Sequence, residues 1–210
     1  MNESAPDKAT AGILHLQALG ELAQVRAQFT ERDNFLLSRA IKALVDLRTK
    51  GNIYKFVATR VSELLPNSVV LVCSFDETAL TLNVRAAVGL GNNVDKLVTL
   101  LGQHPVHFSA PINDEARNGL GKGRLEKVSG GIYELATGAI SLKVCHAIEK
   151  LLNVTGTYAM GLTWSGAIMG SVAILVRDNN VIANTVLVES FINFSAVALH
   201  RRLKGIVSWV

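Results

Sequence analysis

The chain predicts an α+β domain: an antiparallel sheet of five or six strands, helices on one face and loops over the other. Two strand-length runs near the end, Thr157 to Trp164 and Ile168 to Arg177, follow each other closely enough to form a hairpin. Helical patterns bracket that hairpin, Ser141 to Asn153 before it and Thr185 to Leu203 after it. Upstream the order is helix, two strands, short helix, strand and a loop-rich segment, which calls for a mainly antiparallel sheet.

The first 50 residues read as a tail and helical extension. From Ile13 to Phe29, Ala18, Leu22, Val25 and Phe29 form one amphipathic stripe. Polar Thr30 to Asn34 interrupts it, and Leu37, Ile41, Leu44 and Leu47 mark a second helix ending near Lys50-Gly51. The globular domain is expected over residues 51–204, with 205–210 as a C-terminal end. Asn52 is a good N-cap for a helix from Ile53 to Leu65, which Pro66 stops. Val69 to Phe75 is apolar on both faces, as a central strand would be. Leu80 to Val88 alternates, as a half-buried strand would. Val94 to Leu101 is a short helix stopped by Gly102, and Pro105 to Ser109 reads as a short strand. Ala110 to Gly138 is glycine-rich and weakly patterned, the character of a lid or binding loop.

Composition narrows the function classes. Of 210 residues, 49% are hydrophobic and 18% charged, ample for a core and unlike a disordered chain. The formal charge of +4 is mild, and no basic run is interleaved with aromatics, so nucleic acid is not an expected partner. Arg201, Arg202 and Lys204 close a helix, where cations complement the macrodipole. Two distant cysteines without Cys-x-x-Cys spacing argue against a disulfide framework or a thiolate zinc site. Met1 to Thr10 has no signal-peptide core, and no apolar run nears the roughly 20 residues that span a bilayer. The expectation is a cytoplasmic protein without membrane insertion.

The segment Ser165-Gly166-Ala167-Ile168-Met169-Gly170-Ser171-Val172-Ala173-Ile174-Leu175 resembles the closing strand of a GAF domain, the small-molecule sensory module related to PAS domains. Phe191 to Leu203 is similar to that family's last helix, and Ile53 to Leu90 to its front helix and strands. The resemblance covers roughly residues 50 to 203. With Val144-Cys145-His146-Ala147-Ile148-Glu149-Lys150, it looks most like GAF modules of archaeal sensor histidine kinases, some of which carry haem attached to a cysteine. Cys145-His146 also resembles the bilin-attachment site of phytochrome-type GAF domains. Pro111 to Arg117 is similar to a second phytochrome motif but lacks its second proline. The cyclic-nucleotide signature of phosphodiesterase GAF domains is absent. So are kinase parts, because Leu199-His200-Arg201-Arg202 is not a phosphoacceptor box and no nucleotide-binding glycine motif appears. The resemblance thus implies a non-enzymatic sensor, and a fragment if the parent is a two-component kinase.

The resemblance implies haem, or otherwise an unidentified small molecule, as ligand. Cys145 lies on the stripe Leu142, Cys145, Ile148, Leu152, where a thiol can tether a tetrapyrrole, act as a redox sensor or simply fill the core. His146 falls on the opposite side of that helix, and it and His200 are the candidate axial ligands for haem iron. Tyr158 and Trp164 share a strand face and would line the cavity if that face looks inward. On a strand, His104 and His107 would point to opposite faces and could not chelate one ion. Gly119 to Gly123 lacks P-loop spacing and reads as a flexible segment.

The last helix carries two apolar stripes: Leu187, Phe191, Phe194 and Ala198, and Val188, Ile192, Leu199, Leu203 and Ile206. One domain surface should not cover both, which predicts a homodimer through the N- and C-terminal helices, or an intramolecular helix pair. Two other functions stand beside the sensor. One is a dimerisation or scaffold GAF domain with no cofactor. The other is a methionine sulfoxide reductase, for which Cys73 and Cys145 make no evident resolving pair.

Overall fold

In a computed structural model of the protein, residues 31–46, 51–178, 182 and 184–205 are described. The helix expected over Ile13 to Phe29 lies outside them, as do Leu47 and Ile206. The chain divides into two units, residues 1–39 and 40–210. Residues 31–39 are helical, so Glu31 to Asn34, expected as a polar interruption, lies within a helix. In the second unit residues 40–45 are helical, with Ala40 and Leu44 buried. The stretch 31–45 is α1.

The second unit follows the expected order. Helix α2 (Ile53–Leu64) is capped by Asn52, whose Oδ1 accepts the Lys55 N–H at 3.0 Å. Strands β1 (Ser68–Asp76) and β2 (Thr81–Val88) pair antiparallel across a turn in which the Asp76 carboxylate accepts the Thr78 and Ala79 N–H groups. Helix α3 (Val94–Leu101) ends on Gly102 in the left-handed region. The next segment differs from expectation. Pro105–His107 is a turn of 3₁₀-helix, and the strand, β3 (Ser109–Pro111), starts later. Pro105 has no N–H to give a ladder, whereas its fixed φ suits the first helical position, and His104 caps the turn through Nδ1.

The glycine-rich segment is partly regular: α4 (Asp114–Gly121), β4 (Glu126–Lys127) and α5 (Gly131–Leu135). Helix α6 (Leu142–Leu152) leads into β5 (Val154–Trp164) and β6 (Ala167–Arg177). Their two-residue turn, Ser165-Gly166, has positive φ at both positions, matching the twist of a tight hairpin. Helix α7 (Thr185–Leu203) closes the fold.

The six strands form one antiparallel sheet in the order β3-β2-β1-β6-β5-β4. Both outermost strands are very short, three residues ending in Pro111 and two charged residues. Helices α2 and α7 pack on one face, and α3 to α6 cover the other. Cross-strand partners share a face, so Val70 and Val72 join Ile174 and Val172 beneath α2 and α7. Val69 and Leu175 join Cys145, Ile148 and Leu152 on the opposite side.

Helix α7 changes the argument about its two stripes. Leu187, Phe191 and Ala198 are buried, and so are Val188, Ile192 and Leu199. The helix lies against β5 and β6 and also against α2, which together cover a wider face than one sheet surface would. Most of both stripes is therefore buried without a second subunit, while Phe194 of one and Leu203 of the other stay exposed. The Glu189 carboxylate also accepts the Leu125 N–H at 2.9 Å, tying the α4–β4 segment around the sheet edge to α7.

Candidate ligand-binding site

The sheet face under α3 to α6 is hollow. Leu71 and Cys73 of β1 and Ser171, Ala173 and Leu175 of β6 floor a chamber of about 110 Å³. Leu97, Ile140, Ile148 and Leu152 roof it, and among the described residues its only polar side chains are Cys73 and Ser171, cross-strand neighbours. Beside it lies a larger cleft of about 590 Å³ between α4, β4, the α5 end and the sheet. Leu82, Leu135 and Ser171 belong to both walls, so the two spaces adjoin at that point.

Most of the cleft's polar groups come from the segment expected to be a loop. Asn113 and Glu115 open α4, Lys122 and Glu126 flank its end, and Glu134 and Thr137 stand at the far side. Lys122 Nζ lies 2.7 Å from Glu126 Oε1. Glu134 accepts the Gly130 N–H at 2.6 Å, and Asn113 accepts the Ala116 N–H at 2.8 Å. The end of α4 is pressed on β5 at Gly161, where a Cβ would meet the Leu120 carbonyl.

The five residues singled out in the sequence do not converge on this site. Cys145 is fully buried among Val69, Leu97, Ile148 and Leu175, donates to the Ile140 carbonyl at 3.6 Å and lines neither cavity. His146 is exposed on the other side of α6. Tyr158 stands opposite Ile174, hence on the face of α2 and α7. Trp164 is there too, its ring 5.7 Å from that of His200 on α7. The structure brings Trp164 and His200 together, but across the sheet from the cavity. A haem tethered to Cys145 with His146 or His200 as axial ligand does not fit this arrangement. The 3₁₀ turn places His104 and His107 side by side, with centroids 5.9 Å apart, because positions i and i+3 eclipse in that helix. Among the described residues no group of three or more His, Cys, Asp or Glu side chains is placed to hold a metal ion.

No protein-family model matches the chain, and no curated protein matches it. Solved structures do. The chain is similar to the chromophore-binding domain of a bacteriophytochrome from R. palustris, with TM-score 0.61 and 10% identity over 84% of this chain and 62% of that one. It is also similar to the GAF domain of cyanobacteriochrome TePixJ, with TM-score 0.53 and 17% identity over 77% of this chain and 95% of that one. The chromophore-binding domain of Stigmatella aurantiaca phytochrome P1 gives TM-score 0.54 and 12% identity over 80% and 58%. The chain has the GAF fold. It spans less than two thirds of the first of these structures.

The polar residues of this GAF site were not singled out in the sequence. Ser171 carried a usable signal, a hydroxyl at the head of the apolar run Val172 to Val176, buried at 4% exposure. Pro111 to Arg117 was noted only as a motif; in the fold it ends β3 and starts α4 at the cleft mouth. Cys73 was weighed only as a redox partner for Cys145, yet its thiol, not that of Cys145, faces the chamber.

Burial pushes the pKa of both thiols up. For Cys145 burial raises the pKa and the neighbouring Glu149 carboxylate adds to it. Burial raises Cys73 from 9.0 to about 11, against a small opposing hydrogen bond with Ser171. The unfolded chain then releases the Cys73 proton about two pH units before the folded chain does. The corresponding stability is present below about pH 9 and is lost as pH rises toward about 11, on the order of 3 kcal/mol. Urea unfolding of the wild type and Cys73→Ala at about pH 8 and about pH 10.5 measures it. The wild type should lose more stability across that interval, and parallel losses would refute the assignment.

Proposed function

We propose that this chain is the sensory domain of a signalling protein and holds a small molecule between the sheet and α4 to α6. The observation that carries this reading is the pair of adjoining cavities, one aliphatic and one polar, on a single face of a GAF fold. The domain has no catalytic role in this reading. It works in the cytoplasm and serves a separate output element, such as a histidine kinase, through α1 and α7, with a second copy of the chain packing on those helices. Among the described residues no helix is long and apolar enough to cross a membrane.

A tetrapyrrole is the second reading, supported by neighbours whose names describe chromophore-binding domains, with haem the group that the sequence resemblance implies. It would have to sit in the cleft without the tether and axial ligands named in the sequence, since Cys145, His146 and His200 lie elsewhere. Native mass spectrometry of the purified chain, with absorption spectra before and after adding haem, tests both. A co-purified colourless ligand supports the small-molecule reading. A Soret band saturating at one equivalent of haem supports the tetrapyrrole. Neither, with no change in Tm, leaves a scaffold domain.

A further inference from the structure

The inference concerns the ligand's chemical class and rests on the small-molecule reading above. The chamber, about 110 Å³, is close to the size of an aliphatic cavity of about 150 Å³ that stays dry and holds benzene. It has room for one ring or a short alkyl branch and none for a macrocycle. The cleft, about 590 Å³, differs in chemistry as well as size. Lys122 and Glu126 pair with each other, which leaves the carboxylates of Glu115 and Glu134 against the single ammonium of Lys127. The α4 N-terminus opens on the cleft, but Asn113 takes its Ala116 N–H, and Asp114 and Glu115 occupy its first turn. An anionic head is thus opposed where a helix N-terminus would otherwise attract one.

We propose that the ligand is a small amphiphile, its ring or short alkyl end in the aliphatic chamber and a neutral or cationic, hydrogen-bond-donating head in the cleft. Ser171, at the junction of the two spaces and 4% exposed, offers its hydroxyl where the apolar part ends. The carboxylates accept from the head, and the chamber discriminates by the apolar end.

Three probes separate these features: 2-phenylethylamine has both, 3-phenylpropionate reverses the charge, and ethylamine lacks the ring. With the whole chain methyl-labelled for NMR, phenylethylamine should shift Leu82, Leu135 and Leu175 saturably, at least tenfold tighter than either other probe. Ala173→Leu fills the chamber and should weaken phenylethylamine at least tenfold while leaving ethylamine unchanged. Ala136→Leu fills it from the opposite wall and serves if the first variant does not fold. Equal binding of phenylpropionate overturns the head, and equal binding of ethylamine overturns the chamber. Cavity methyls that respond to phenylpropionate but not to phenylethylamine overturn the ligand class and leave the small-molecule reading standing; methyls that respond to haem alone overturn both in favour of the tetrapyrrole. Methyls that respond to no probe, in a chain with no co-purified ligand, overturn both.

Discussion

Gly161→Ala should dismantle the cleft. The new Cβ would be driven into the Leu120 carbonyl, backbone against backbone, so no side chain can swing away to relieve it. Helix α4 must then lift from β5, and with it Asn113, Glu115 and Lys122 leave their places around the cleft. Overpacking of this kind costs about 1–3 kcal/mol, and roughly 2–4 °C in Tm accompanies each kcal/mol at this chain length. Loss of probe binding at the cleft should exceed tenfold. Gly121→Ala is the control, because a Cβ there meets nothing and the position ends the same helix. Comparable losses in the two variants would show that α4 is not seated through Gly161.

Phe191→Ala is expected to be the most destabilising single truncation. Phe191 is 0% exposed and heads the fully buried side chains, packed where α7 meets the sheet. Phe→Ala changes in such positions cost about 3–5 kcal/mol, a large share of the roughly 5–15 kcal/mol that holds a domain together. Phe194, three residues on and 47% exposed, should cost no more than about 0.5 kcal/mol on truncation. Urea midpoints of the two variants decide it. Equal shifts would mean that Phe194 is covered in solution, as it would be if the second copy packed on α7 through that residue.

The architecture was legible because its signals are local. Asn52, Gly102 and the Ser165-Gly166 turn act within a few residues, and the stripe Cys145, Ile148, Leu152 is a property of one helix, although Leu142, expected on the same stripe, is exposed. The site was not legible, for a different reason. Strands β1 and β6 are apolar on both faces, so alternation cannot say which face is hollow. Tyr158 and Trp164 were grouped correctly on one face, but only the packing of α7 shows that it is the face away from the cavity. Cys145 was assigned to the inward side of α6, and it is inward. The space there is occupied by Val69, Leu97 and Leu175, which come from distant parts of the chain. His104 and His107 were separated on strand geometry, and one proline changed the geometry.

The sheet's margins bear on how this molecule can associate. An open strand at a margin offers a row of unanswered amide and carbonyl groups to any extended peptide. Here one margin stops at an imino acid with no proton to share, and the other is a glutamate and a lysine that resist dry stacking. Growth of the sheet by borrowed strands is discouraged on both sides, so encounters with other chains fall to helical and loop surfaces.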